Sequence, residues 1–249
     1  MTSAAATGRD DMLDWLKRRY WRLREWVRQD ARDWLIERLP RRSRWRWRAA
    51  QQEELDWWRG FLTTGRWREH ADPRPLPGLS WMEHRRSVMG RWEAEFDLPL
   101  ARLIGQGDRV LDLGCGPYSL VRRGRVIGVD PLAGRYGELV DLSADDGVDY
   151  VAAAGESLPF ADEAFDVVWS RNVIDHVRDP AAFAAEAMRV LRPGGRLLLT
   201  FDVVSEGGVA HPHGYIDETW VRRHAPGRIV QTWRWPSDEM MVTVEKPAG

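Results

Sequence analysis

"VLDLGCGPYSL", residues 110–120, decides the fold. Val110, Leu111 and Leu113 form a short apolar run of the kind found at the centre of a parallel sheet, buried on both faces. The run breaks at once into a turn with glycine at 114 and 116, behind an acid at 112. Two glycines so close open backbone angles closed to other residues and let a ligand approach main-chain N–H groups. The stretch therefore predicts a buried strand followed by a ligand-binding turn.

Toward the C-terminus, strands and helices alternate. "RVLDLG" (109–114) and "RVIGVD" (125–130) read as the first two strands, the second ending on an acid. "DYVAAAGE" (149–156) and "AFDVVWSRN" (164–172) read as the third and fourth. Asp179 is placed as an N-cap with Pro180 at the first helical position. Phe183, Ala187, Val190 and Leu191 form the apolar side of that helix, and "RPGG" (192–195) is expected to stop it before a fifth strand, "RLLLTF" (196–201). "GRIVQTWRW" and "EMMVTVEK", joined by "PSD", read as a closing antiparallel pair. The interval from Gly116 to the second strand leaves room for only a brief helix. The pattern predicts an α/β fold: a doubly wound, Rossmann-like, seven-stranded sheet with an antiparallel C-terminal pair, binding its ligand beyond the carboxyl ends of the strands.

Toward the N-terminus the chain changes character. Its 249 residues carry a net charge of −1, but residues 12–50 hold thirteen Lys/Arg against five Asp/Glu, a surplus of eight that leaves the rest at −9. Eleven of the fifteen tryptophans lie in the first 92 residues. The division expected is a Trp/Arg-rich helical extension over 1–96 and a ligand-binding domain over 97–249. Leu13, Leu16, Tyr20, Leu23, Val27 and Trp34 make one helical stripe among arginines, ended by Pro40. "RRSRWRWR" (41–48) is a cationic aromatic patch, "QQEELDWWRGFL" (51–62) a second helix, and residues 81–96 a third helical piece beyond a proline-rich connector. The basic helix is expected to pack on the main domain or a second copy; contact with an anionic membrane surface is the alternative. Nucleic acid is not expected, because no recognised module accompanies the charge.

A hydrophobic content of 43% with 30% charged residues fits a soluble globular protein. The start, "MTSAAATGRDDMLDW", lacks the apolar stretch of a signal peptide, so a cytoplasmic location is expected, with peripheral membrane contact as the alternative. Cys115, the single cysteine, cannot form an internal disulfide and reads as a small filler inside the glycine turn.

Four blocks in order then carry a family resemblance: Asp112-x-Gly114-x-Gly116, Asp130 ending the second strand, "GESLPFADEAFD" (155–166) and "NVIDHVRDPAAFAAEAMRVLRPGGRLLLTF" (172–201). Together they resemble the class I S-adenosylmethionine-dependent methyltransferases, in particular the broad type 11 small-molecule group. The resemblance implies S-adenosylmethionine as cofactor. It implies that Asp112 organises the turn formed by Gly114, Cys115 and Gly116 and helps hold the methionine ammonium. It implies that Asp130, eighteen residues on and followed by Pro131, accepts from the ribose hydroxyls, as acids do in dinucleotide folds. Gly155 and Glu156 fall in the block bordering the adenine, and Arg171 and Asn172 end the fourth strand, where the main chain meets the amino-acid end. Two departures stand out. Tyr118 replaces a third glycine, and Ala154 replaces an acid often found two residues before the block's Glu. A nicotinamide dinucleotide fingerprint would need glycine at 119, where Ser119 stands.

A sulfonium methyl is already activated, so the protein's task is to position an acceptor and exclude water; a hydroxyl acceptor also benefits from a base. The candidates are His176, just beyond the fourth strand with Asp175 beside it, and His211 and His213 in the loop after the fifth. No carboxylate at ligand spacing completes a metal site with the last two, so no metal is expected. The acceptor expected is a small molecule or a sugar. Trp57, Trp58, Trp67, Trp81 and Trp92 offer flat faces for it, or pack as core between helices.

Overall fold

The computed structural model describes residues 38, 40, 43–64, 100–139, 147–203, 213, 215–235 and 239–248. The expected helices at 13–34 and 81–96, the boundary at 96/97, the "PSD" turn, Trp67, Trp81, Trp92 and His211 lie outside the described residues.

Seven strands form one sheet: β1 (Arg109–Leu113), β2 (Arg125–Val129), β3 (Val148–Val151), β4 (Phe165–Arg171), β5 (Leu191–Asp202), β6 (Arg228–Arg234) and β7 (Glu239–Glu245). Their order is β3-β2-β1-β4-β5-β7-β6. β1 to β5 run parallel, while β7 runs antiparallel to both β5 and β6. The chain moves outward from β1 through β2 to β3, then crosses to β4 on the other side, which puts the switch point between β1 and β4. This is the doubly wound sheet with an antiparallel end that the alternation predicts.

The central strands bury both faces, as their unbroken apolar runs require. On one face Leu111, Leu113, Val168, Leu197, Leu199 and Phe201 pack with Phe183 and Ala187 of a helix, α4 (Pro180–Val190). On the other, Val110, Val126, Val167, Trp169 and Leu198 pack with Leu100 and Ile104, around the short helix α2 (Leu100–Leu103). Asp179 caps α4 as expected, its carboxylate accepting the N–H of Ala182 at 3.4 Å.

Four readings of local structure change. No helix follows the glycine turn: residues 114–124 run to β2 as turns and loop. Ser119 pins that loop, its Oγ donating to Asp112 at 2.6 Å and accepting the N–H of Val121 at 3.1 Å. "RPGG" lies inside β5 rather than between helix and strand. Phe165 pairs with Leu191 and Val167 with Arg196, so residues 192–195 bulge opposite Asp166. β3 is short, ending at Val151. A helix over Glu218–His224, α5, joins β5 to β6, N-capped by Asp217, whose carboxylate accepts the N–H of Trp220 at 2.8 Å.

The described part of the front third is one long helix, α1 (Arg44–Thr64). It begins two turns earlier than the expected start at residue 51, because Ser43 precedes it and accepts the N–H of Trp45 at 3.2 Å. The cationic patch therefore forms its first turns. Leu55 is fully buried against Leu132 and Tyr136 of the segment after β2, which holds the one-turn helix α3 (Ala133–Tyr136). Gln52 accepts from Arg135 at 3.2 Å, and Arg178 lies 5.7 Å over the Trp47 ring. α1 is thereby fixed to the connections after β2 and after β4. Among the described residues no helix is long and apolar enough to cross a membrane.

Candidate cofactor and active site

The site grows out of the end of β1. Gly114 (φ 81°) and Gly116 (φ 63°) both take left-handed backbone angles that favour glycine. The N–H groups of Gly114 and Cys115 both donate to the carbonyl of Val129, at 2.7 and 3.2 Å, which ties the turn to β2. Asp130, one residue past β2, accepts the N–H of Gly116 at 3.2 Å and of Leu132 at 2.8 Å. Burial pushes the Asp130 carboxyl up to about 7; the two N–H groups pull it down, and the Glu54 and Asp112 carboxylates add to the rise. A buried acid so poised gains most from donors that favour its charged form.

Asp112 is buried beneath the turn, holding Ser119. Ser119 N–H donates to the Tyr150 hydroxyl at 2.8 Å. Tyr118, at the position of the missing third glycine, is buried and meets Trp58 of α1 edge-on at 5.8 Å. Trp58 also meets Tyr136 at 6.5 Å, and its ring covers Gly116, where a Cβ would lie 3.1 Å away. Trp58 is thus a wall over the glycine turn. Trp57, 46% exposed, contacts it edge-on at 4.8 Å.

These groups enclose a cavity of about 490 Å³ at the carboxyl ends of the strands, a size typical of small-molecule sites. Asp112, Gly114, Cys115, Gly116, Asp130, Pro131, Gly155, Glu156, Arg171 and Asn172 all line it, and so does His176. Gly155 has no room for a side chain, because a Cβ would lie 2.4 Å from the Phe183 ring. Asn172 turns through φ 50° as it leaves β4, its N–H donating to the Thr200 carbonyl at 2.8 Å. Glu156 is engaged with backbone, accepting from Arg178 N–H at 2.7 Å and Asp179 N–H at 3.3 Å, so it braces the start of α4 as well as the cavity wall. Arg171 Nε lies 3.8 Å from Glu239 Oε1 across β5; burial lowers the guanidinium pKa, and Glu239 and Asp202 oppose that.

The histidines separate. His176 stands between two acids, Nδ1 3.7 Å from Glu54 and Nε2 3.8 Å from Asp175. His213 Nε2 lies 2.8 Å from the Val177 carbonyl, which only accepts, so that nitrogen carries the proton; the ring is not part of the cavity lining. Among the described residues, no three His, Cys, Asp or Glu side chains group closely enough to hold a metal ion. Sequence reading missed Glu54 and Trp47 as cavity residues, and placed Trp58 toward an acceptor rather than over the glycine turn. Nothing in a helical stripe says which of its faces will meet a domain fifty residues on.

The residues fit S-adenosylmethionine on three counts internal to the structure. The turn at 114–116 lines the cavity, a buried carboxylate stands beside it at 130, and the cavity is large enough. Similarity to known proteins agrees. The sequence profile of a family described as "Methyltransferase domain" matches residues 111–199. An uncharacterized methyltransferase of Mycobacterium sp. (strain KMS) is 37% identical over 140 residues, covering 54% of this chain and 53% of that protein. A ubiquinone biosynthesis O-methyltransferase of Cereibacter sphaeroides (strain ATCC 17029 / ATH 2.4.9) is 34% identical over 145 residues, covering 53% of this chain and 56% of that one. The chain thus spans about half the length of the curated relatives it matches. Among solved structures, the [4+2]-cyclase SpnF superposes with a TM-score of 0.52 at 18% identity, over 82% of this chain and 96% of the other, which shows a shared fold. Turn, acid, strand order and matched segment together make residues 111–199 similar to the class I S-adenosylmethionine-dependent methyltransferases.

Proposed function

We propose that the protein transfers a methyl group from S-adenosylmethionine to a hydroxyl of a small-molecule or glycan acceptor. The observation that carries this reading is the convergence on one cavity of the glycine turn, the Asp130 carboxylate and His176. When bound, the cofactor supplies a methyl already activated by its sulfonium charge. Asp130 would hold the ribose hydroxyls, and the glycine turn, with Asp112 beneath it, would line the amino-acid end. α1 covers the cavity and keeps water from the reacting atoms. His176, with Glu54 3.7 Å from Nδ1 and Asp175 3.8 Å from Nε2, receives the acceptor's proton. The name of the Cereibacter relative supports oxygen as the accepting atom.

A lipid or isoprenoid acceptor is the second reading. Trp45 on α1 is 59% exposed, with the Arg44 and Arg48 guanidiniums 5.4 and 5.7 Å from its ring, a pairing suited to an anionic interface. The same reading puts the protein in the cytoplasm, with the front third as the surface for membrane contact or self-association.

Calorimetric titration with S-adenosylmethionine tests the first half of the proposal, and a turnover assay over sugars, phenols and quinones with labelled methyl donor tests the second. Transfer to a phenol or sugar supports the hydroxyl reading. Transfer only to prenylated quinones moves the proposal to the lipid reading. Binding without product across the panel makes the chain a cofactor-binding interaction or sensor protein.

A further inference from the structure

α1 brings one carboxylate into the heart of the cavity. Glu54 Oε1 accepts the indole N–H of Trp58, one turn further along the helix, at 2.8 Å. That bond fixes the side chain, and Oε2 then faces Nδ1 of His176 at 3.7 Å. On its other side Glu54 is near enough to Asp130 and Tyr136 for its charge to raise both of their pKa values. The carboxylate therefore shares the cavity with the acid that takes the ribose and lies against the imidazole that faces the acceptor.

The described lining of the cavity carries more acids than cations. Among the described residues, Glu53, Glu54, Asp112, Asp130 and Glu156 line it, against one guanidinium, that of Arg171, which is held beside Glu239. Five acids gathered in a partly desolvated space repel one another, and a cation entering among them relieves that repulsion. In S-adenosylmethionine the atom joining the ribose to the reacting methyl is the sulfonium sulfur. A carboxylate in the same cavity as the ribose acid and 3.7 Å from the acceptor-side histidine is placed to meet that atom's charge. The transfer product, S-adenosylhomocysteine, keeps every other group but has a neutral sulfur.

We propose that Glu54, delivered by α1, is the residue that reads the sulfonium charge, so that the N-terminal extension makes the site prefer the charged cofactor to its neutral product. The proposal rests on the functional reading above. It gives the extension a chemical part in the site beyond covering it.

Titration of the full chain with S-adenosylmethionine, S-adenosylhomocysteine and sinefungin, whose amine is positive where the sulfonium would be, tests this without any acceptor. Glu54→Gln keeps the oxygen that accepts from Trp58 and removes only charge. It is expected to weaken S-adenosylmethionine and sinefungin on the order of tenfold while leaving S-adenosylhomocysteine within about twofold. Asp56→Asn, a loss of charge on the exposed side of the same helix where Asp56 pairs with Arg59, is expected to leave all three unchanged. Circular dichroism establishes that both variants are folded. Equal weakening of all three ligands by Glu54→Gln, or no weakening of any, overturns the proposal while leaving the cofactor assignment standing. Failure of the unaltered chain to bind any of the three overturns the functional reading and this inference with it.

Discussion

Gly114 and Val173 approach so closely that a hydrogen fits between them and a methyl does not: a Cβ on Gly114 would lie 2.3 Å from Cγ2 of Val173. The contact joins the turn after β1 to the chain leaving β4, the two walls of the switch point. Gly114→Ala adds the cost of a left-handed backbone, about 1–2 kcal/mol, to that clash. A fall in melting temperature of roughly 5–10 °C is expected, together with loss of measurable cofactor binding by calorimetry. Adding Val173→Ala removes the clash but not the backbone strain, so the double variant should recover part of the melting temperature. An unaltered melting temperature in the single variant would mean that this contact does not constrain the turn.

Asp130 makes stability and binding respond to pH in opposite senses. Its carboxyl is raised to about 7 in the fold, chiefly by burial, against about 4 in an unfolded chain. Between those values the folded state holds a proton that the unfolded state has lost, so the contribution is fully present below pH 4 and is lost as pH rises through 7. Asp130→Asn should therefore be more stable than the parent at pH 8, by a few kcal/mol in urea unfolding, and no more stable at pH 4. Ribose hydroxyls favour the ionised acid. Cofactor affinity of the unaltered protein should thus fall as pH drops from 8 to 6, and the asparagine variant should bind weakly at every pH.

Leu55 fastens α1 to the sheet. It is fully buried against Leu132 and Tyr136, and truncating such a side chain costs about 2–5 kcal/mol where a cavity remains. Leu55→Ala should loosen α1 before it loosens the sheet. The expected result is faster hydrogen exchange over 44–64 with little change in β1, β4 and β5, and cofactor affinity reduced by at least about tenfold. Equal acceleration across helix and sheet would mean that the two unfold as one unit.

The two described histidines should part company in kinetics. His176→Ala leaves the glycine turn and Asp130 untouched, so cofactor binding should persist while turnover of a hydroxyl acceptor falls about 10²–10⁴-fold, the usual worth of a general base. His213→Ala loses only a hydrogen bond to the Val177 carbonyl, worth about 1 kcal/mol, and should leave turnover within a few-fold. Loss of cofactor affinity in both variants would make them structural residues.

Much of this was legible in the chain because it is written locally. The runs at 109–113, 125–129, 165–171 and 196–201 carry strand order through their apolar density, and Asp179-Pro180 writes a helix start in two residues. The glycines at 114 and 116 and the acid at 130 could be read because backbone freedom and a strand-end carboxylate are properties of single positions. What could not be read depends on meetings between distant segments. Glu54 looks like any exposed acid on an amphipathic helix until Leu55 docks and turns it inward. "RPGG" has the signature of a helix end, and only the pairing of Leu191 with Phe165 draws it into β5. Glu156 looks free for a ligand until the amides of Arg178 and Asp179 arrive from twenty residues away.

The link between β1 and β2, which runs from Gly114 to Gly124 without a helical turn, has an electrical consequence. In folds that grip a pyrophosphate, a helix begins where this loop lies, and the positive end of its macrodipole, about half an elementary charge, points at the bound anion. Here that source of positive field is missing. The amides of the turn, already given to Val129 and Asp130, shape the pocket without making it attractive to phosphate. Without that field, the pocket keeps the polarity a sulfur cation needs.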